Sequence, residues 1–494
     1  MGKKLYITTA IPYVNAVPHI GNALDYLLAD IWTRYQKQNG RDVRFQVGTD
    51  EHGNKIAAKA SEAGIEPQAF TDKMYVNFEA LMKKMGAEYT DFIRTTDVHH
   101  KAAVQYIWQK LQPHIYKGKY EGWYCVGHEA FFTDKEVEAT GGVCPDHQKP
   151  YERISEENYY LKTSAFTDQI REALTTGRMQ IVPEFRKNEF LELIKDGLPD
   201  VSISRPKKTL TWGVPVPGDS EQVMYVWLDA LANYITVLGY PDNAEWKEYW
   251  PADVQVIGKD ILRFHAGIWP AMLLGLDLPL PKKLLVHGFV NVGGAKMSKS
   301  VGNVVDPNEI IDGYGVDAFR YYFARHIPTQ DDGDFTWEKF ENSYNNELGN
   351  DLGNLVSRVS SMVTRYQAGV IGDIPIKSEH DMGPYRSAIA ELQFNRALDE
   401  VWVMVRSLNQ YLESLKPWEI AKKREKDPEA ESHLAEVLGH AVSTLLQIGD
   451  LLVPFLPETA AMIHKTFDSG VVVPVGAEGG MFPKIYHHTP NPRG

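Results

Sequence analysis

The chain has 494 residues, 43% hydrophobic and 24% charged, with 52 Lys+Arg against 65 Asp+Glu and a net charge of −13. This length implies about two to four domains with sizeable cores, and the acidic balance excludes a general nucleic-acid coat while leaving room for a local basic patch. Two cysteines exclude a secreted disulfide framework, no apolar run reaches the roughly 18 residues of a membrane span, and a strand-like start at Leu5 argues against a leader, so a cytoplasmic protein is expected.

Leu5 to Ile11 is short, apolar and β-rich, which predicts a buried strand. It runs through Pro12 and Tyr13 into His19-Ile20-Gly21-Asn22. From Ala23 to Gln38 the residues Leu24, Leu27, Leu28, Ile31, Trp32 and Tyr35 keep helical spacing. His19 and Asn22, three apart, share one face of the first turn. A helix start offers free N–H groups to anions, and Gly21 leaves the backbone open to a nucleotide. A plain Asn/His helix cap fits the same residues. Asp42 to Val47 predicts a second strand, ending in Gly48-Thr49-Asp50-Glu51-His52-Gly53. Parallel α/β sheets bind ligands beyond the carboxyl ends of their strands. Asp50 there is a candidate anchor for an ammonium group, or part of a polar cap on the helix beginning near Asn54.

Further on come Cys125-Val126-Gly127-His128 and Cys144-Pro145-Asp146-His147. Two thiolates and two imidazoles suffice for a closed, structural zinc site; buried cysteines beside exposed histidines fit the same residues. Met224 to Ala230 leads into a helix through Tyr234, and Val254 to Ile257 predicts a strand ending in Gly258-Lys259-Asp260. Trp227, Tyr234, Ile261 and His265, closed by Ile11 and Tyr13, would form an aromatic and aliphatic slot with few polar groups. Core packing explains such residues equally well. Gly293-Gly294-Ala295-Lys296-Met297-Ser298-Lys299-Ser300 is a glycine-hinged, doubly basic loop, either a mobile clamp on a polyphosphate or solvated surface. His326 to Phe335 reads as an aspartate-rich linker. Trp337 to about Thr466 is helical almost throughout and predicts an all-α bundle. Asn354 and Arg358 stand four apart on one helix face, and with Trp418 they supply an amide, a cation and a ring suited to single-stranded RNA, or simply a core Trp and a solvated Arg.

His19 to Asn22 resembles the HIGH signature, and Lys296 to Ser300 spells KMSKS. Paired in this order, they resemble the class I aminoacyl-tRNA synthetases. Ala10 to Asn15, Gly48 to Gly53, Tyr225 to Ala230 and Ile257 to Ile261 narrow the resemblance to the methionyl-tRNA synthetases, over Tyr6 to about Pro457. It departs at Asn22, where the signature has a second histidine.

The resemblance implies an α/β protein: a class I Rossmann-type parallel sheet with a zinc-knuckle insertion, then an all-α anticodon-binding bundle. The expected boundaries are 1–112 and 223–280 for the two catalytic halves, 113–222 for the insertion, 281–336 for the KMSKS and stem-contact region, 337–466 for the bundle, and 467–494 for a tail folding back on it. Adenylation would be catalysed by His19, Asn22, Lys296 and Lys299. ATP, with Mg²⁺, would meet Pro12, Tyr13, His19, Gly21, Asn22, Gly258, Lys296, Ser298 and Lys299. Methionine would meet Ile11, Tyr13, Asp50, Trp227, Ala230, Tyr234, Ile261 and His265. Structural Zn²⁺ would sit on Cys125, His128, Cys144 and His147, and Asn354, Arg358 and Trp418 would read the CAU anticodon of tRNA(Met). The insertion is too short for an added editing domain, and a monomer is expected. The alternatives are another class I synthetase or a catalytically silent tRNA-binding paralogue.

Overall fold

The computed structural model describes residues 4–127, 130–145, 148–297, 302–371, 380–424, 427–468, 471–472 and 480–485. A six-stranded parallel sheet holds β1 (Lys4–Thr9), β2 (Asp42–Thr49), β3 (Asp91–Arg94), β4 (Gln180–Val182), β5 (Val254–Gly258) and β6 (Lys283–His287), in the order β3-β2-β1-β5-β6-β4. Its central strands β1, β5 and β6 are largely apolar because both faces are covered; Tyr6 and Ile7, Val256 and Ile257, and Leu284 to Val286 are all buried. Thr8 lies opposite Gln46 on one side and Gln255 on the other, so the strand order reverses between β1 and β5. The crevice beyond that reversal is where such sheets hold ligands.

Helix α1 (Ile20–Gln38) crosses from β1 to β2, and its buried Leu24, Leu27, Leu28 and Ile31 follow the spacing that predicted it. On the opposite face, α2 (Val98–Lys110) and α3 (Val226–Thr236) contribute Trp108 and Leu231 to a second core shared with Tyr6 and Ile257. The 113–222 stretch folds partly as a long antiparallel hairpin, Ile115–Cys125 with Glu152–Leu161. It also supplies β4, the edge strand of the main sheet. Between the hairpin strands Cys125, Val137, Cys144 and Tyr151 form a small buried cluster. The chain enters it through Gly141 and Gly142, at φ 65° and 82°, a left-handed turn that a β-carbon would strain.

After β6 come β7 (Val290–Val292) and β8 (Ala295–Lys296), an antiparallel pair, and then α4 (Val316–Arg325). His326 to Phe335 is not a mere linker: it ends in β9 (Gly333–Phe335), parallel to β7. Its aspartates read as loop residues, yet they accept backbone N–H groups of the neighbouring segment, from Phe289 to Asp332 at 2.9 Å and from Gly294 to Asp334 at 2.7 Å.

The helical bundle follows, with α5 (Asn354–Gln367), α6 (Phe394–Leu415) and α7 (Pro428–Leu452) as its long members. Its core is continuous with the α1 face of the sheet through Phe319 and Phe323 of α4. Arg320, fully buried, cements that junction: it pairs with Asp30 of α1 at 2.7 Å and donates to the Phe455 and Pro454 carbonyls at 2.7 and 2.9 Å. Near the end of the chain, the Tyr344 hydroxyl donates to the Pro483 carbonyl at 3.0 Å, and Phe482 lies edge-on to the same ring. Among the described residues no helix is long and apolar enough to cross a membrane.

Candidate active site

Beyond the carboxyl ends of β1, β2, β5 and β6 opens a cavity of about 420 Å³. Ile11, Tyr13, Asp50, Trp227, Ala230, Tyr234, Ile261 and His265 all line it. Pro12, His19, Gly21, Asn22, Gly258 and Lys296 line the same cavity, whereas Ser298 and Lys299 fall outside the described residues.

The apolar end is built by extending the sheet past its strands. Asp50 donates its N–H to the Pro12 carbonyl at 2.9 Å and accepts from Val14 N–H at 3.3 Å, prolonging the β1–β2 pairing. Ile11 and Tyr13, two apart on extended chain, and Asp50 thereby reach one wall. Opposite stands α3 with Trp227, Ala230 and Tyr234, and Trp227 stacks on Phe264 with centroids 3.5 Å apart and planes 9° from parallel. His265 lies in a π-helical turn, Phe264–Ile268, where the widened backbone turns the ring into the cavity. Its Nδ1 is 3.0 Å from the Ile261 carbonyl and its Nε2 is 2.7 Å from the Tyr234 hydroxyl. Burial pushes the His265 imidazole down to about 4, outweighing the Ile261 carbonyl, so the ring is neutral. Nδ1 then donates to the carbonyl, and Nε2 accepts from Tyr234. The polar atoms of this wall satisfy one another and leave an apolar face to a ligand.

Beneath this wall a buried carboxylate ties the elements together. Asp229 of α3 sits 2.6 Å from His52 Nδ1 and 2.9 Å from His100 Nε2 of α2. Burial would raise its pKa, but the two imidazoles hold it well below the usual carboxylate range. Glu51 is likewise buried and structural, bound by Arg94 Nε at 2.8 Å. Of the acids in Gly48 to Gly53, only Asp50 lines the cavity.

At the other end, His19 caps α1 and forms a reciprocal box with Asn22. Gly21 N–H donates to His19 Nδ1 at 3.1 Å, and His19 N–H donates to Asn22 Oδ1 at 3.1 Å. Capping and facing the cavity are thus combined in the same pair. Gly21 has no room to spare: a β-carbon there would stand 2.9 Å from His19 Cε1 and 3.6 Å from Met297 Cε. Lys296 and Met297 close the cavity from across.

Elsewhere, Asn354 and Arg358 share the first turns of α5, and the Arg358 guanidinium lies 5.8 Å from the Trp418 ring centroid while pairing with Glu413 at 2.8 Å. Cys125 and Cys144 are 2% and 0% exposed in their shared cluster, and His128 and His147 lie outside the described residues. Among the described residues no group of three or more His, Cys, Asp or Glu is placed to hold a metal ion.

The chain is similar to proteins of one known family. The family model "tRNA synthetases class I (M)" matches residues 5–153 and 147–360. A methionine–tRNA ligase of Caldanaerobacter subterraneus is 44% identical over 473 residues, covering 93% of this chain and 73% of that protein. One of Listeria innocua is 42% identical, covering 93% of this chain and 72% of the relative. A solved Mycobacterium tuberculosis methionyl-tRNA synthetase in complex with methionyl-adenylate superposes with a TM-score of 0.87 at 35% identity, over 94% of each chain. The chain belongs to the methionyl-tRNA synthetases of class I.

Within this synthetase fold the cavity also holds residues not named among the site candidates of the sequence. His287, at the end of β6, bonds Asp25 of α1 through Nε2 and the Gly288 carbonyl through Nδ1, the latter at 2.8 Å. Burial would lower its pKa, but Asp25 above all raises it, favouring a protonated ring that can donate to both of these acceptors. Asn233 of α3 lines the cavity and accepts from Gln46 Nε2 at 2.8 Å, while Asp260 and Phe289 complete the wall near Lys296. The rule that ligands sit beyond strand ends points to His287 as directly as it points to Asp50.

Proposed function

We propose that this synthetase activates L-methionine with ATP to methionyl-adenylate and pyrophosphate, then transfers the methionyl group to the 3′ end of tRNA(Met). One observation carries the reading: a single cavity joins an apolar slot walled by Trp227, Tyr234 and His265, with Asp50 at its side, to a helix N-terminus faced by Lys296.

The apolar slot takes the thioether, and Asp50 receives the ammonium group. A shorter or branched side chain is rejected by shape, worth about 1–3 kcal/mol per methylene. ATP lies across the switch point, with Pro12, Tyr13, Gly21 and Gly258 along its nucleoside and His19 and Asn22 at its phosphates. The methionine carboxylate attacks the α-phosphate in line, and pyrophosphate leaves with the bond electrons. Lys296, Ser298 and Lys299 hold it together with the Mg²⁺ carried on the substrate phosphates. A tRNA hydroxyl then attacks the methionyl carbonyl and AMP departs. No covalent enzyme intermediate forms, so catalysis rests on positioning and electrostatics.

Structural zinc would suit the chemistry of this cluster: two thiols buried together are soft donors, and Gln148 N–H donates to the Cys144 carbonyl at 2.9 Å beside them. Cys125, His128, Cys144 and His147 would hold the ion and close that fold. At the bundle, Asn354, Arg358 and Trp418 would read CAU, and the protein would act as a cytoplasmic monomer. The test is aminoacylation of tRNA carrying CAU against the same tRNA with an altered anticodon. Methionylation of the first at a rate at least tenfold higher supports the reading, and equal rates contradict the anticodon assignment.

A further inference from the structure

Phe289 belongs to no motif, yet it stands between the cavity and the Lys296 hairpin. Its ring lies under two ammonium groups, Lys259 Nζ at 4.5 Å and Lys296 Nζ at 4.6 Å from the centroid. Its backbone is pinned on both sides: its N–H donates to Asp332 Oδ1 at 2.9 Å, and its carbonyl accepts from Gly333 N–H at 2.9 Å. Asp332 in turn pairs with Lys259 at 2.7 Å. The preceding Gly288 makes this closeness possible, since a β-carbon there would fall 2.2 Å from the Asp331 carbonyl carbon. One strand further along, Gly294 N–H is held by Asp334, which also pairs with Lys339 at 2.9 Å. The hinge of the hairpin and the ring beneath its lysine are therefore fixed by the same 331–334 segment.

We propose that Phe289 is a positioning residue for adenylation: its ring seats Lys296 at the phosphate end of the cavity. The idea rests on the reading of Lys296 as a pyrophosphate clamp. A flexible ammonium in water samples many rotamers, and an aromatic face held by two backbone hydrogen bonds narrows that set without neutralising the charge. The ring adds no hydrogen bond that would have to break when pyrophosphate takes the cation. Phe289 acts through Lys296, so the consequence is specific: removing the ring matters only while the lysine is present.

The test is a double-mutant cycle in methionine-dependent ATP–pyrophosphate exchange. Phe289→Leu should lower the turnover number about two- to fivefold, the range expected of an exposed cation–π contact. Methionine affinity, read by intrinsic tryptophan fluorescence, should stay unchanged, and Phe289→Tyr should restore turnover. In a Lys296→Ala background, Phe289→Leu should have no further effect. An equal loss in both backgrounds, or no loss in either, overturns the proposal. Full exchange by Lys296→Ala alone overturns the clamp reading and the seat with it. If the leucine variant does not fold, Phe289→Met, apolar but without a ring, carries the same expectations.

Discussion

Replacing Gly21 by alanine separates the stability of α1 from its chemistry. The added β-carbon would stand 2.9 Å from His19 Cε1 and 3.0 Å from His19 Nδ1. The His19 ring can swing away, but it then gives up the 3.1 Å bond from Gly21 N–H and its place at the cavity. Losing such a cap costs about 0.5–2 kcal/mol. Alanine opposes this, being favoured over glycine in a helix by about 0.8–1.0 kcal/mol, and Gly21 is not among the positive-φ residues. The two terms nearly cancel, so the thermal midpoint should hardly move. Catalysis has no such compensation: displacing a donor that stabilises transition-state charge costs about 2.7–4 kcal/mol, a factor of about 10²–10³ in rate. Gly21→Ala should therefore lower the turnover of methionine-dependent ATP–pyrophosphate exchange by that factor, with methionine affinity and thermal midpoint close to wild type. Exchange at the wild-type rate would refute the placing of His19 at the phosphates. A large fall in midpoint would instead refute the energetic argument for α1.

Asp229→Asn leaves two buried imidazoles without their carboxylate, and should cost on the order of 3–5 kcal/mol of stability along with weaker methionine binding, read by urea denaturation and fluorescence; an unchanged midpoint would contradict the network. His265 is held down to about 4 in the folded chain, against about 6.5 unfolded, so its contribution is full above pH 6.5 and is lost as pH falls toward 4. The loss is on the order of 3 kcal/mol, and an NMR titration of the His265 ring near 6.5 would contradict it. Trp418→Ala should weaken tRNA(Met) binding by about 1–3 kcal/mol while leaving ATP–pyrophosphate exchange intact; unchanged tRNA affinity would remove Trp418 from the anticodon site.

What was legible in the sequence was what the chain writes contiguously. Strand ends such as Gly48 to Gly53 and Gly258-Lys259-Asp260 announce a site because acids and glycines interrupt apolar runs. The loop after Val292 announces itself because two lysines follow two glycines. His19 and Asn22 were open between cap and phosphate contact, and the structure has them capping α1 while lining the cavity, since a helix N-terminus serves both. Less legible were pairings between distant elements. His287 meets Asp25 of α1, and Asp229 meets His52 and His100 from two other segments; no local spacing encodes such meetings. The 326–335 stretch misled because aspartates signal loops, whereas here they accept N–H groups that hold the lysine hairpin in place.

The central claim is methionine activation in this one cavity, and the most direct measurement is amino-acid-dependent ATP–pyrophosphate exchange. It should be run with methionine against leucine, isoleucine, valine and cysteine, with Lys299→Ala as the control. Exchange with methionine alone, lost in the control, is the predicted result. Exchange driven better by another amino acid, or none at all from folded protein, would contradict the account.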